Sequence, residues 1–377
     1  MNPDPLSRRM PRADSLTGLR WWAAFAVFTY HMLNFAPLPE VAAVFLRFGY
    51  FGVTFFFILS GFVLTWSASA AVRQSTFYWR RLARVYPAHL VALAVAIPVF
   101  YSFTPDPLQD WVKPVDVGIL ALSVVLLQGW WRDPVILFSG NPAAWTLTVE
   151  AFFYAIHPYV MRVLGRLRVR GSLLLAGATL LIGVVYHGLA RLAPGLLPTD
   201  VIPQPILHVG EFIIGMAIAW AIRCGWRIRI HGLVGIAALL LAFAIIALTP
   251  RLLPGSALDL AVAALTNEIV IIACVVALVA YALRDLDERR SLLAHPVLVR
   301  LGEWSFAFYL VHATIIYTAL AVFGHQYASW RNLAWYAAML VLSIAGAAAL
   351  HLLVEKPVER RMRAWKDARD ARRTATP

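Results

Sequence analysis

Two side chains foreign to hydrocarbon share the first apolar stretch of this sequence, Arg20 and His31. A charged side chain at the centre of a bilayer costs about 2.5–3.5 kcal/mol or more unless it faces protein or water, so such positions are where chemistry is sought first. Eleven residues make about three helical turns, which puts both on one face, roughly 16 Å apart. Glu150 interrupts a later apolar stretch, with Tyr154 and His157 at i+4 and i+7 on its face. His208 and Glu211 are three residues apart on another stretch, and His312 falls in the middle of a further one. A carboxylate beside an imidazole orients the ring and raises its basicity, the requirement for moving a proton. Arg80, Arg81 and Arg84 cluster just before a third apolar stretch, and Gly61 lies in the second. Guanidinium groups recognise phosphates, and a glycine admits the close approach of a ligand or a backbone. A phosphate-friendly mouth with an acid/base group deeper in suits a long ligand with a phosphorylated head and a reactive tip. Acyl-CoA is such a ligand.

Each residue also has a plainer reading. Arg20 alone is explained by a side chain that snorkels to the interface, although that does not account for a histidine on the same stripe. Intramembrane polar groups often only hydrogen-bond helices together. For Arg80, Arg81 and Arg84, phosphate recognition and simple cytoplasmic anchoring both remain open. His157, which precedes Pro158, reads as packing, and His187 and His89 as interfacial. Trp130 and Trp131 read as part of an aromatic belt.

The elements that must position these groups are membrane helices. Of the 377 residues, 61% are hydrophobic and 14% charged, with a mean hydropathy of +0.71. That leaves too little polar surface for water, so most of the chain is solvated by lipid. The net charge of +13 fits basic residues gathered in cytoplasmic loops. The arginines do not alternate with stacking aromatics, so a nucleic-acid partner is not expected. Cys224 and Cys274 have no metal-site spacing, and no metal is expected. No glycine-rich phosphate loop supports ATP-driven transport. The apolar stretch after the basic start lacks a small-residue cleavage site and is expected to stay as the first membrane helix.

A crossing needs about 20 apolar residues. Ten candidates lie near 17–35, 50–67, 86–103, 145–161, 172–190, 205–222, 232–249, 259–283, 301–322 and 333–354. An eleventh, Val117 to Leu127, is shorter. If it stays on the outer side and the N-terminus is cytoplasmic, 26 of the 33 Lys and Arg face the cytoplasm. If it crosses, everything beyond it inverts and most of those residues face out, against the positive-inside rule. The expectation is therefore an all-α polytopic bundle of about ten crossings, with one re-entrant or outer-surface segment inside an outer region near 104–144. It sits in the cytoplasmic membrane with both termini inside. A basic tail (1–16) leads into a membrane domain (17–354), and a second basic tail (355–377), solvated at the membrane surface, follows. Glu150 and His31 then lie at similar depth toward the outer side. No internal repeat is visible, which weighs against an inverted-repeat transporter.

Seven segments, in order along nearly the whole chain, resemble the membrane-bound acyltransferase family 3. "LTGLRWWAAFAVFTYH" is similar to its opening Arg-x10-His helix through Arg20 and His31. "FFFILSGFV" resembles the second-helix motif ending at Gly61, and "FYWRRLARVYP" the Arg-rich turn through Arg80, Arg81, Arg84 and Pro87. "WTLTVEAFFY" resembles a Trp-Ser-Leu-Ser-Val-Glu motif through Trp145 and Glu150, with Thr146 and Thr148 in place of serine but keeping the hydroxyl. "HVGEFIIGM", "WSFAFYLVHA" and "VEKPVERR" are similar to later segments through Glu211, Gly215, Tyr309, His312, Glu355 and Pro357. The family O-acylates surface polysaccharides, peptidoglycan, nodulation factors and some macrolides. The chain resembles its stand-alone form, without an added esterase-like domain.

The resemblance implies that His31 is the essential acid/base group or a transient acyl carrier. Arg20, Arg80, Arg81 and Arg84 would act at the CoA side, and Glu150 would support the histidine or the acceptor hydroxyl. Tyr154, His208, Glu211 and His312 are expected near the substrate, with Tyr154, Asn34 and His208 as candidate oxyanion donors. The co-substrate would be acyl-CoA, acetyl-CoA by family habit, and the partners would be the lipid bilayer and a glycan or small-molecule hydroxyl acceptor. The competing reading is a transporter or flippase of an acidic or lipid-linked solute, using the same His, Glu and Arg groups as a proton relay.

Overall fold

The computed structural model describes residues 5–193, 195–197, 199–289 and 291–375. The outer ends of both expected tails, residues 1–4 and 376–377, lie outside the described residues, as does Arg290. Ten long apolar helices among the described residues correspond one to one with the expected crossings. They are α1 (Asp14–Met32), α2 (Gly52–Trp66), α3 (Gln74–Phe100), α4 (Trp145–Leu164), α5 (Val169–Leu192), α6 (Val209–Arg223), α7 (Gly232–Leu252), α8 (Ala257–Leu286), α9 (Pro296–Phe323) and α10 (Leu333–Leu350). A polar helix, α11 (Lys356–Ala375), follows. Eight segments are long and apolar enough to cross a bilayer on composition alone. The two helices that fall short, α1 and α4, are those loaded with Arg20 and His31 and with Glu150 and His157. The chain is a multi-pass, all-α membrane protein.

The short eleventh stretch does not cross. It forms a helix of 8 residues, Val117–Val124, about 12 Å long against a hydrocarbon core of about 30 Å. The Asp116 carboxylate caps it by accepting from the Ile119 amide at 2.9 Å. Nearby, Tyr101–Ser102 pairs in parallel with Lys113–Pro114.

Two boundaries depart from the sequence reading. α3 starts at Gln74 and runs through Pro87, so Arg80, Arg81 and Arg84 stand on helical turns rather than in a loop. Proline removes one backbone donor and ordinarily kinks or breaks a helix, which is why position 86 looked like a start. At the other end, the chain passes from α10 into α11 through a π turn at His351–Glu355. α11 is solvated over much of its surface but packs along one side. Trp79 Nε1 donates to the Met362 carbonyl at 2.8 Å, and Thr76 Oγ1 donates to Asp370 at 2.8 Å, laying α11 along α3.

The chain divides into two compact units. The first comprises Met1–Tyr30, Pro39–Ser69 and Ile156–Glu303. In it α2 and α6 cross at backbone contact: a Cβ on Gly61 would collide with the Phe212 carbonyl, and one on Gly215 with the Ile58 carbonyl. α6 ends in a left-handed turn, with Gly225 at φ +101° and the Trp226 amide donating back to Ala221 at 2.9 Å. The start of the chain is tied down there as well. Buried Arg223 donates to the carbonyls of Pro5 and Trp66, and Trp66 Nε1 donates to the Pro11 carbonyl.

The second unit comprises His31–Leu38, Ala70–Ala155 and Trp304–Pro377. Here α3 packs against α10 and α11. His89, expected at the interface, is instead fully buried and donates from Nε2 to the Ser123 carbonyl at 3.0 Å. The short Val117–Val124 helix ends beside that carbonyl, which explains the difference: this segment covers the imidazole that helix position alone left exposed.

Candidate active site

The end of α1 delivers His31 to α9. His31 Nδ1 lies 3.3 Å from Nε2 of His312, with the rings 5.0 Å apart and edge to face. His312 is fully buried. Its Nδ1 lies 2.8 Å from the Tyr309 carbonyl and 3.2 Å from that of Phe308, one turn earlier on the same helix. The Phe308 ring stacks on the imidazole at 5.9 Å. Helical spacing of three and four residues makes this arrangement possible. Past the end of α1, Asn34 donates to the Tyr317 hydroxyl at 3.1 Å.

From His312 a row of polar side chains runs through the same unit. The Tyr309 ring lies 5.6 Å from His312. Its hydroxyl hydrogen-bonds Thr146 and is within electrostatic reach of Glu150. Glu150 Oε2 accepts from the Tyr154 hydroxyl at 2.8 Å, the i+4 contact that the α4 spacing predicts. Tyr154 in turn lies within electrostatic reach of Arg81 and Arg84.

The three arginines are not equivalent. Arg84 pairs with Glu355 at 2.5 Å and Glu359 at 3.3 Å. Arg80 makes a looser pair with Asp367 at 3.4 Å. Arg81 lies over the Phe77 ring, near Arg363 and Glu359, and Glu359 pairs with Arg363 one turn on. The Nε groups of Arg80, Arg81 and Arg363 are buried with no acceptor among the described residues. A buried N–H without an acceptor is costly, and three in one cluster suit an anion that brings several oxygens.

His31, His312, Glu150, Tyr154, Arg80, Arg81 and Arg84 are thus in one unit. Arg20, Gly61, His208 and Glu211 belong to the other. There His208 Nδ1 lies 2.9 Å from Glu211 Oε1, and the Phe57 ring 4.9 Å from the imidazole. Glu211 is buried. On α5, His187, read as interfacial, lies 2.7 Å from Glu268. Gly61, expected to admit the co-substrate, has the α6 backbone as its neighbour. A helix crossing at that distance leaves no room for a side chain, and the glycine serves packing.

The sequence reading did not pair His312 with His31, and it left Glu355, Glu359 and Arg363 in a tail. A signal for the second group was present: 355, 359 and 363 form an i, i+4, i+8 stripe that continues the last apolar helix.

Residues 14–352 match the family described as Acyltransferase domain. The chain is 33% identical over 375 residues to Acyltransferase MdmB of Streptomyces mycarofaciens, covering 93% of each chain. It is 29% identical over 163 residues to Peptidoglycan O-acetyltransferase OatA of Listeria monocytogenes, covering 40% of this chain and 24% of that one. It is 30% identical over 175 residues to Nodulation protein 10 of Rhizobium leguminosarum bv. viciae, covering 43% of this chain and 48% of that one. The chain thus spans nearly all of the first relative and less than half of the other two. No solved structure matches it.

Proposed function

This chain belongs to the acyltransferase family that the matched domain defines, and on that premise we propose that it transfers an acyl group, acetyl in the first instance, from acyl-CoA to a hydroxyl of a cell-envelope glycan or a natural product such as a macrolide. One observation carries the donor assignment: three buried guanidinium Nε groups without an acceptor among the described residues, in the same compact unit as the His31–His312 pair and the Glu150–Tyr154 hydrogen bond. CoA brings phosphates to the first and a thioester toward the second.

His31 takes the proton of the acceptor hydroxyl as its oxygen attacks the thioester carbonyl. The C–S bond breaks, and the proton leaves with the sulfur as CoA thiol, so an ester and CoA-SH replace an alcohol and a thioester. General base catalysis of this kind contributes about 10²–10⁴-fold. Glu150 and Tyr154 hold the polar row between the two ends. Arg20, His208 and Glu211 are further proposed site residues, which belong to the other unit. The protein sits in the cytoplasmic membrane with both termini inside, so that the arginine cluster meets cytoplasmic CoA.

Intramembrane His, Glu and Arg groups would also serve a proton relay in a transporter. Kinship with proteins named acyltransferase and O-acetyltransferase favours the enzyme. The donor assignment is tested by titrating acetyl-CoA against the detergent-purified protein and following CoA release. Arg81→Ala and Arg363→Ala are expected to raise the KM for acetyl-CoA about 10-fold or more, the loss of one charge-assisted contact of about 1.5–3 kcal/mol. An unchanged KM in both variants overturns the assignment.

A further inference from the structure

Resting on the acyl-transfer reading, we infer that His312 is a positioning residue that fixes the tautomer of His31 and so makes Nε2 of His31 the proton-accepting atom. Nδ1 of His312 faces two backbone carbonyls, at 2.8 and 3.2 Å. A carbonyl oxygen can only accept, so Nδ1 carries the hydrogen. In the neutral ring Nε2 then holds the lone pair, and its neighbour at 3.3 Å is Nδ1 of His31. Two lone pairs cannot hydrogen-bond, so His31 Nδ1 donates. The neutral His31 ring is thereby left with its lone pair on Nε2.

The α9 backbone thus dictates the protonation pattern of a ring on α1 through one intervening imidazole. His312 is held to do so: it is fully buried, stacked on Phe308 and tethered to the preceding helical turn. A carboxylate does this job in hydrolase triads, where spoiling the tautomer lowers kcat by about 10⁴. Here a neutral imidazole orients the base without adding a buried charge to the membrane interior. When Nε2 of His31 takes the acceptor's proton, the Nδ1–H bond to His312 persists and spreads the new charge toward the α9 carbonyls.

The test reads the tautomer directly. Wild-type protein labelled with ¹⁵N-histidine, with His31→Ala to assign the signals, should show a protonated Nδ1 and an unprotonated Nε2 for His31. Signals showing Nε2–H on His31 overturn the inference whether or not the protein transfers acyl groups. Kinetics supply the second arm. His312→Gln places an amide oxygen where Nε2 was and should keep activity within about 10-fold of wild type. His312→Leu, and His312→Asn with its shorter reach, should lose about 10²–10⁴ in kcat at unchanged KM for acetyl-CoA. Equal losses in Gln and Leu variants of wild-type thermal stability would also overturn it. A wild-type protein without acyl transfer but with the stated ¹⁵N pattern would sink the enzyme reading and keep the pairing.

Discussion

Arg84 Nη1 lies 2.5 Å from Oε1 of Glu355, a carboxylate only 1% exposed, and this pair fastens the π turn after α10 to the arginine-bearing turns of α3. The other Glu355 oxygen lies 3.1 Å from His351 Nδ1. Removing one partner of a buried pair leaves an uncompensated charge and costs about 3–5 kcal/mol. Glu359, at 3.3 Å from Arg84, offsets part of that loss. Glu355→Ala is therefore expected to destabilise the protein by about 3 kcal/mol, read as a lower Tm in detergent. Wild-type Tm in this variant would show that the pair does not hold the helices together.

Gly61→Ala tests the packing assignment. The added methyl meets the Phe212 carbonyl, which belongs to a helix backbone and cannot rotate away. Overpacking of this kind typically costs about 1–3 kcal/mol, and Gly215→Ala should match it from the facing helix. Thermal unfolding in detergent measures both. A Gly61→Ala protein with wild-type Tm but a raised KM for acetyl-CoA would return Gly61 to the donor site.

The all-α membrane bundle was legible in the sequence because a bilayer demands about 20 apolar residues and internally satisfied backbone. The stretch at Val117 was legible as too short to span, and it forms a helix of 8 residues. The i+4 contact of Glu150 with Tyr154 was also legible, since one helix fixes it. The pairing of His31 with His312 was not: 281 residues separate them, and only tertiary packing joins α1 to α9. His89 was misjudged for the same reason, because its partner lies on a different segment. Gly61 fits a ligand approach and a backbone approach equally well until the neighbouring helix is seen. Glu355 was lost to a length rule, since a helix need not end where the membrane does.

Lys113 supplies a pH signature outside the membrane helices. Its ammonium donates to the carbonyls of Phe138 at 2.8 Å and Val135 at 3.4 Å. Burial pushes it down to about 8, against the pull of Asp133. A detached lysine holds its proton to about pH 10.4. Between about pH 8 and 10.4 the unpacked segment therefore binds more protons than the packed one, and packing strengthens as pH rises. Below pH 8 both forms are charged, so the pH dependence vanishes and the cost of the buried charge stays constant. The Tm of wild type minus that of Lys113→Met should climb across that window. A flat difference would contradict the burial.

Orientation is tested with a reporter fused after Arg170, at the start of α5. The proposed topology predicts a cytoplasmic signal there and an outer one after Lys113. An outer signal at Arg170 would invert the assignment of the arginine cluster to the CoA side.

The central claim is acyl transfer from acyl-CoA with His31 as its base, and radiolabelled acetyl-CoA tests it most directly. Detergent-purified wild type is compared with His31→Ala for release of CoA and for label reaching an acceptor hydroxyl. The account predicts slow CoA release by wild type, stimulated by the right acceptor, and lost by a factor of about 10²–10⁴ in His31→Ala. Folded wild-type protein that neither binds nor turns over acetyl-CoA or longer acyl-CoAs would contradict it and favour a proton relay in a transporter.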